Sequence, residues 1–207
     1  FLYNHWKIYT KEELEGAKKR MNESEFRERY KIPNDVYLEV PVFKYDCGLK
    51  CLPEKITASI KGRDIIDGGA YWGDSALVLN GYAPRKIISF EPQPDTYKKL
   101  QKVIADNGLS NVVTVHACIG DRNGETILYT EGMVSGSSVR DIQPVLNNQG
   151  KATYTVEMVD IDTYVKQNDL NVGFIKLDIE GSESAAIRGA LETIKKNRPI
   201  LSVAVYH

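Results

Sequence analysis

No apolar run in this 207-residue chain approaches the length of a membrane span, and no signal-peptide core is visible. Neither sign of charge is in excess: 27 Lys and Arg stand against 28 Asp and Glu, a net charge of -1. A nucleic-acid partner would call for a basic surplus or stripe, so none is expected. Cysteine is scarce. Cys47, Cys51 and Cys118 make an odd count and no disulfide framework. Cys47 and Cys51 have loose metal-ligand spacing, but no second pair follows and His5, His116 and His207 are scattered, so no metal is expected. Reduced thiols and a cytoplasmic location fit better. The chain starts at Phe1 rather than Met and stops at His207 in a strand-like run, so it reads as a fragment.

The dinucleotide fingerprint is also lacking. Counted from Gly69, G-x-G-x-x-G needs glycine at positions 71 and 74, where Tyr71 and Asp74 stand. Tyr71 would crowd a pyrophosphate, and Asp67 and Asp74 would repel it. What is present is an apolar pair, Ile65-Ile66, leading into the glycine-rich turn Asp67 to Gly73 and a helical pattern from Ser75. Gly69 and Gly73 read as places where the backbone approaches a ligand too closely for a Cβ. The next strand, Lys86 to Phe90, ends in Glu91, a carboxylate placed for the two hydroxyls of a ribose. Acidic groups around such a turn suit S-adenosylmethionine, whose sulfonium and ammonium are cationic.

At 42% hydrophobic residues the chain supports one sizeable core. Residues 1–45 read as an accessory segment, either packed on the sheet or closing over the site. It has a helix opening at Thr10-Lys11-Glu12-Glu13, a second helix over 23–30, and an extended stretch from Tyr37 to Tyr45 marked by Pro41. Residues 46–207 read as the core. A helix is expected from Pro53, another after the turn to about Gly81, and, after Pro92-Gln93-Pro94-Asp95, an amphipathic one with Tyr97, Leu100, Val103 and Ile104 inward, ending at Asn107-Gly108. Val112 to Ile119 is a third strand, Val172 to Asp178 a fourth, and Pro199 to His207 a fifth, with one helix through Ile194 between the last two. Gly124–Tyr129 and Ala152–Val159 form an inserted β-pair whose connection reaches towards the site. The fold class is therefore α/β: a Rossmann-like, doubly wound, mostly parallel sheet with an N-terminal helical extension.

Three segments carry a family resemblance: Ile66 to Ser75, Phe90-Glu91-Pro92, and Phe174-Ile175-Lys176-Leu177-Asp178-Ile179-Glu180-Gly181-Ser182-Glu183. Together they resemble the FkbM family of S-adenosylmethionine-dependent methyltransferases, over about Leu49 to the C-terminus and not over residues 1–45. The resemblance implies the strand order 3-2-1-4-5-7-6, whose closing antiparallel pair is missing here. It implies S-adenosyl-L-methionine as cofactor, with Asp67, Gly69 and Gly73 at its methionine end and Gly68, Ala70, Tyr71, Asp74 and Ser75 completing the turn. Glu91 would hold the ribose, followed by Pro92. Cys118 and Ile119 would flank the adenine, with Asp121 close by. Asp178 would face the cofactor and, with Lys176, Glu180 and His207, line the acceptor site. Lys176 and Asp178 alternate onto one strand face and could form an ion pair. The activity implied is O-methylation of a hydroxyl on a sugar, a glycan precursor or a similar small polar metabolite. A nicotinamide-dependent oxidoreductase and a non-catalytic adenosine-binding module stay open as alternatives, as does a homo-oligomer.

Overall fold

The computed structural model describes residues 23–130, 137–139 and 152–205. The helix expected at Thr10, most of the connection between the inserted strands, and His207 lie outside the described residues. The frame is a five-stranded parallel sheet of β1 (Asp64–Gly68), β2 (Lys86–Phe90), β3 (Val112–Val115), β8 (Val172–Leu177) and β9 (Ile200–Val203), in the order β3-β2-β1-β8-β9. This is the 3-2-1-4-5 order that the sequence implied. β1 and β8 are buried at every residue, as strands covered on both faces should be. At its lower end β1 starts on the fully buried Asp64, which receives both arms of the Arg85 guanidinium at 2.8 and 2.5 Å.

One face of the sheet is covered by α4 (Asp74–Leu79), α5 (Pro94–Asp106) and the N-terminal segment. Helix α5 opens on Pro94, is capped by the Gln93 side chain on Thr96 N, and turns Leu100, Val103 and Ile104 inward. The other face carries α6 (Ile161–Gln167), α7 (Glu183–Arg188) and α8 (Leu191–Asn197). A second sheet, in the order β4-β7-β5-β6, combines β4 (Ala117–Gly120), β5 (Gly124–Thr130), β6 (Ser137–Val139) and β7 (Ala152–Asp160). Its antiparallel β5–β7 ladder is the inserted pair read from the sequence.

Three local expectations are corrected. Residues 40–45 are not extended but form α2 (Val40–Tyr45), after α1 (Glu23–Arg29) and before α3 (Glu54–Thr57), the helix expected from Pro53. Proline is tolerated at a helix's first turn, where its missing N–H would be unpaired anyway, so Pro41 marks a helix start. The run Val112 to Ile119 is two strands. It breaks at His116, whose ring stacks on Tyr97 with centroids 4.6 Å apart, and β4 then leaves to pair with β7. The last helix is also two: the Asp162 carboxylate accepts the N–H groups of Glu192 and Thr193 at 2.9 and 2.7 Å, capping a fresh start at Leu191.

The N-terminal segment packs as core from residue 32 onward. Ile32, Val36, Leu38, Phe43 and Leu49 are buried in one cluster with Ile65, Trp72 and Leu79. Phe43 stacks on Trp72 at 6.2 Å, and the Trp72 indole N–H donates to the Tyr37 carbonyl at 3.0 Å. Phe43→Ala is therefore expected to lower unfolding free energy by about 3–5 kcal/mol in a denaturant titration. A loss below about 1 kcal/mol, the level of an ordinary surface change, would show that the segment is not part of this core.

Candidate active site at the carboxyl ends of the strands

One polar row crosses the sheet near the carboxyl ends of its strands. In register, Thr114 of β3 pairs with Ser89 of β2, Ser89 with Asp67 of β1, Asp67 with Lys176 of β8, and Lys176 with Ser202 of β9. Paired positions of parallel strands share a face, so all five side chains emerge on the side of α4 and α5. Asp67 is fully buried. Its Oδ2 accepts from the hydroxyls of Ser75 at 2.7 Å and Ser89 at 3.1 Å, while Oδ1 faces the Lys176 ammonium at 3.3 Å without an aligned hydrogen bond. Asp67 and Ser75 were expected to touch the cofactor, but these bonds turn them inward, into the floor of the site. An ion pair was expected between Lys176 and Asp178; the carboxylate of Asp67 lies 3.3 Å from the Lys176 ammonium, and the Asp178 charge acts on it as well.

The glycine-rich turn rests on this floor. The N–H groups of Gly69 and Ala70 both donate to the Phe90 carbonyl, at 3.1 and 2.9 Å, and Gly73 N donates to Ala70 O at 2.8 Å. Gly69 is left-handed (φ 75°), and a Cβ there would run into the Asp178 carbonyl oxygen. Gly73, with φ 100°, lies against Leu100. Both glycines are thus required by protein packing, whereas the sequence reading had assigned them to close ligand approach. Gly68 and Ala70 are buried, and Ile119 and Leu177 fill the space beside Gly68.

Glu91 follows β2 and is 7% exposed. Its Oε2 accepts Tyr71 N–H at 3.0 Å and its Oε1 accepts Gln93 N–H at 2.9 Å. A carboxylate has about four acceptor positions, so each oxygen keeps one for a hydroxyl donor. Burial pushes the Glu91 carboxyl up to about 7, against the two backbone N–H groups that hold it down. Burial likewise raises Asp74 to about 7, opposed chiefly by the Lys176 charge. Tyr71, half-buried and left-handed at φ 50°, is raised by burial and then by Asp74, Glu39 and Glu91.

Opposite the turn, Asp178 N donates to Gly68 O at 3.2 Å, and the chain turns sharply through Glu180 and Gly181, both left-handed. Glu183, in the first turn of α7, braces this loop by accepting Ile179 N–H at 2.9 Å. Asp178 and Glu180 are half-buried there, beside the glycine-rich turn. The adenine-side residues are divided. Ile119 packs beside Gly68, but its strand neighbour Cys118 faces the opposite way, into a cluster with Leu128, Val156 and Met158. Asp121 is engaged by Arg188 at 2.8 Å, which holds its carboxyl below the usual range and ties it to α7.

Two residues that the sequence reading passed over come to this end of the sheet. His116 Nε2 lies 3.0 Å from the Pro92 carbonyl oxygen, next to the Glu91 loop. Glu39 is delivered by the buried N-terminal segment, and its charge acts on both Tyr71 and Asp74. No local pattern marks either one, since both arrive through long-range packing. Among the described residues, no three His, Cys, Asp or Glu side chains cluster in a metal-binding group, and no helix is long and apolar enough to cross a membrane.

The site fits an adenosyl ligand without phosphate. Glu91 is a buried acceptor pair suited to ribose hydroxyls, while the N–H groups of Gly69, Ala70, Tyr71 and Gly73, four of the turn's donors that could otherwise cradle a phosphate, are spent within the protein. Fold and site define an α/β S-adenosylmethionine-binding protein. The chain belongs to the FkbM methyltransferase family: the sequence model of the methyltransferase FkbM domain matches residues 67–207. S-adenosylmethionine is its cofactor.

No curated protein matches the chain. Among solved structures, it is similar to the YcgJ protein of Bacillus subtilis, with 20% identity, TM-score 0.30 and coverage of 38% of this chain and 35% of that one. It is also similar to an S-adenosylmethionine-dependent methyltransferase of Agrobacterium tumefaciens, with 10% identity, TM-score 0.32 and coverage of 39% and 25%. Precorrin 8w decarboxylase of Methanobacterium thermoautotrophicum aligns over 84% of this chain and 67% of its own, with 14% identity and TM-score 0.44. The match thus spans 35% or less of the first two structures. The family assignment rests on the sequence model and not on these likenesses.

The raised carboxyls have a signed consequence. Between an ordinary 4.5 and about 7, folded Glu91 holds a proton that the unfolded chain has released, so its contribution to stability falls as pH rises through that window. Ribose hydroxyls donate best to the ionised form, so cofactor affinity should rise over the same window. Glu91→Gln is expected to flatten both slopes in paired thermal-unfolding and binding titrations. Glu91→Ala should weaken S-adenosylhomocysteine binding by about 2 kcal/mol, or roughly thirtyfold. Unchanged affinity in Glu91→Ala would remove Glu91 from the site.

Proposed function

We propose that the chain is an O-methyltransferase acting on a hydroxyl of a sugar, a glycan precursor or a similar small polar metabolite. The observation that carries this reading is the pairing of a cofactor turn and Glu91 on one side with a loop bearing two carboxylates, Asp178 and Glu180, on the other. When bound, the cofactor supplies an electrophilic methyl group on a sulfonium. Glu91 orients the ribose, and the negative charges of Asp74 and Glu39 favour the cationic end. Asp178 and Glu180 hold the acceptor hydroxyl and take its proton. Loss of that proton would leave the acceptor oxygen as the nucleophile for methyl transfer, with the two carboxylates keeping it in place.

Lys176 is a poor candidate for that proton. Burial alone would lower its ammonium, but the Asp67 and Asp178 charges outweigh burial and hold it above the ordinary lysine range, so it stays protonated. The three cysteines at 47, 51 and 118 are free thiols, which supports a cytoplasmic setting for the reaction.

Methyl transfer from labelled S-adenosylmethionine to a panel of sugars and sugar nucleotides tests the acceptor class. Asp178→Asn keeps the shape and removes the charge. It should cut single-turnover rate by about a hundredfold or more while leaving the melting temperature and S-adenosylhomocysteine affinity near wild type. If the melting temperature falls and rate per folded molecule is kept, Asp178 is structural. Label found only on amine or carbon acceptors would overturn the O-methyl assignment.

A further inference from the structure

Lys176 is buried within the sheet, 6% exposed, on a strand that is otherwise apolar. Its ammonium lies 2.8 Å from Gly69 O, 3.4 Å from Gly68 O and 3.3 Å from Asp67 Oδ1. Two of its N–H donors thus meet the Gly68 and Gly69 carbonyl oxygens, while its charge faces Asp67 Oδ1 without an aligned hydrogen bond. No proton acceptor role is left for this side chain. The Gly69 carbonyl, however, is held at 2.8 Å by this one charged group from the neighbouring strand, which shares the Gly68 carbonyl with Asp178 N–H. From that point the constraint runs along the backbone. The next two N–H groups close on Phe90 O, and Tyr71 N–H closes on the Glu91 carboxylate.

We infer that Lys176 is a positioning residue. Its ammonium clamps the Gly68 and Gly69 carbonyls and so sets the turn in the orientation that presents Tyr71 N–H to Glu91 and shapes the cofactor site. This role rests on the cofactor assignment but differs from the acceptor-site role first expected for Lys176. Asp67 is the counter-charge that allows an ammonium to sit there. Ser75 and Ser89 hold Asp67 in turn, which ties the clamp to the first turn of α4 and to β2. Charge-assisted bonds to backbone carbonyls are directional, so a neutral side chain of the same length fills the space without orienting the peptides.

Lys176→Met alone leaves Asp67 buried and unpaired, which endangers folding. The informative protein is therefore the double variant Lys176→Met with Asp67→Asn, which removes both charges and keeps hydrogen-bonding partners for Ser75 and Ser89. Two readouts are taken on it and on the wild type: amide hydrogen exchange at residues 69–73 without ligand, and calorimetric binding of S-adenosylhomocysteine. The double variant should unfold cooperatively. Exchange at residues 69–71 should rise, and S-adenosylhomocysteine affinity should fall, each by about tenfold or more, the worth of one charge-assisted hydrogen bond. Exchange within β8 should hold. Wild-type turn protection and affinity in the folded double variant would overturn the proposal, as would loosened exchange with unchanged affinity. A double variant that does not fold would also overturn it, since the pair would then serve the fold as a whole. If the wild type itself binds no S-adenosylhomocysteine, the cofactor assignment fails, and turn exchange still decides whether Lys176 orders the turn.

Discussion

The buried contact between Asp67 and Lys176 is the interaction on which the cofactor end of the sheet depends. Either charge alone in that row would face an uncompensated desolvation cost of several kcal/mol. Together, with Ser75, Ser89 and two backbone carbonyls around them, they form a polar seam through the sheet near the carboxyl ends of its strands. The seam lies one residue below the point where β1 becomes the glycine-rich turn. From there the turn is built outward with the N–H groups of Gly69, Ala70, Tyr71 and Gly73 already committed, and Glu91 is held ready by two backbone donors. Electrostatics around it are acidic, which suits a cationic adenosyl ligand and opposes a phosphate.

The N-terminal segment belongs to the same construction. Trp72, the residue after Tyr71, is buried between Phe43 and the Tyr37 carbonyl, so the cofactor turn and residues 37–43 share one anchor. Ser202 in the polar row donates to the Cys47 carbonyl at 2.8 Å, fixing the same segment to the far side of the sheet. Packing and site formation are therefore linked for residues 32–49. Glu39 shows what the linkage yields, since its charge reaches Tyr71 and Asp74 only because the backbone on either side of it is held.

Much of the frame was legible in the sequence because its signals are local. The strand-turn-helix rhythm, the acid ending an apolar strand at Glu91, and the β-branched runs at 112–115 and 172–177 depend on near neighbours. The antiparallel insertion was legible because two β-rich runs had no helix between them. Pro41 misled, since proline ends strands and opens helices alike, and only packing decided between these at residues 40–45. The break at His116 was hidden within an uninterrupted β-favouring run, at the residue whose ring stacks on Tyr97 of α5. At the site, Asp67, Ser75, Cys118 and Asp121 were read as ligand-facing from their place along the chain. Asp67 is spent on Ser75, Ser89 and Lys176, Cys118 on the second sheet's core and Asp121 on Arg188, partners that strand register and tertiary packing bring together.

The central claim is that this site takes an adenosyl ligand through Glu91 with no provision for phosphate. Titration calorimetry on the wild type with S-adenosylhomocysteine, ADP and NADH, each at the same pH and salt, tests it most directly. The account predicts one-to-one binding of S-adenosylhomocysteine and no heat of binding from ADP or NADH. Binding of ADP or NADH as tight as that of S-adenosylhomocysteine would contradict it.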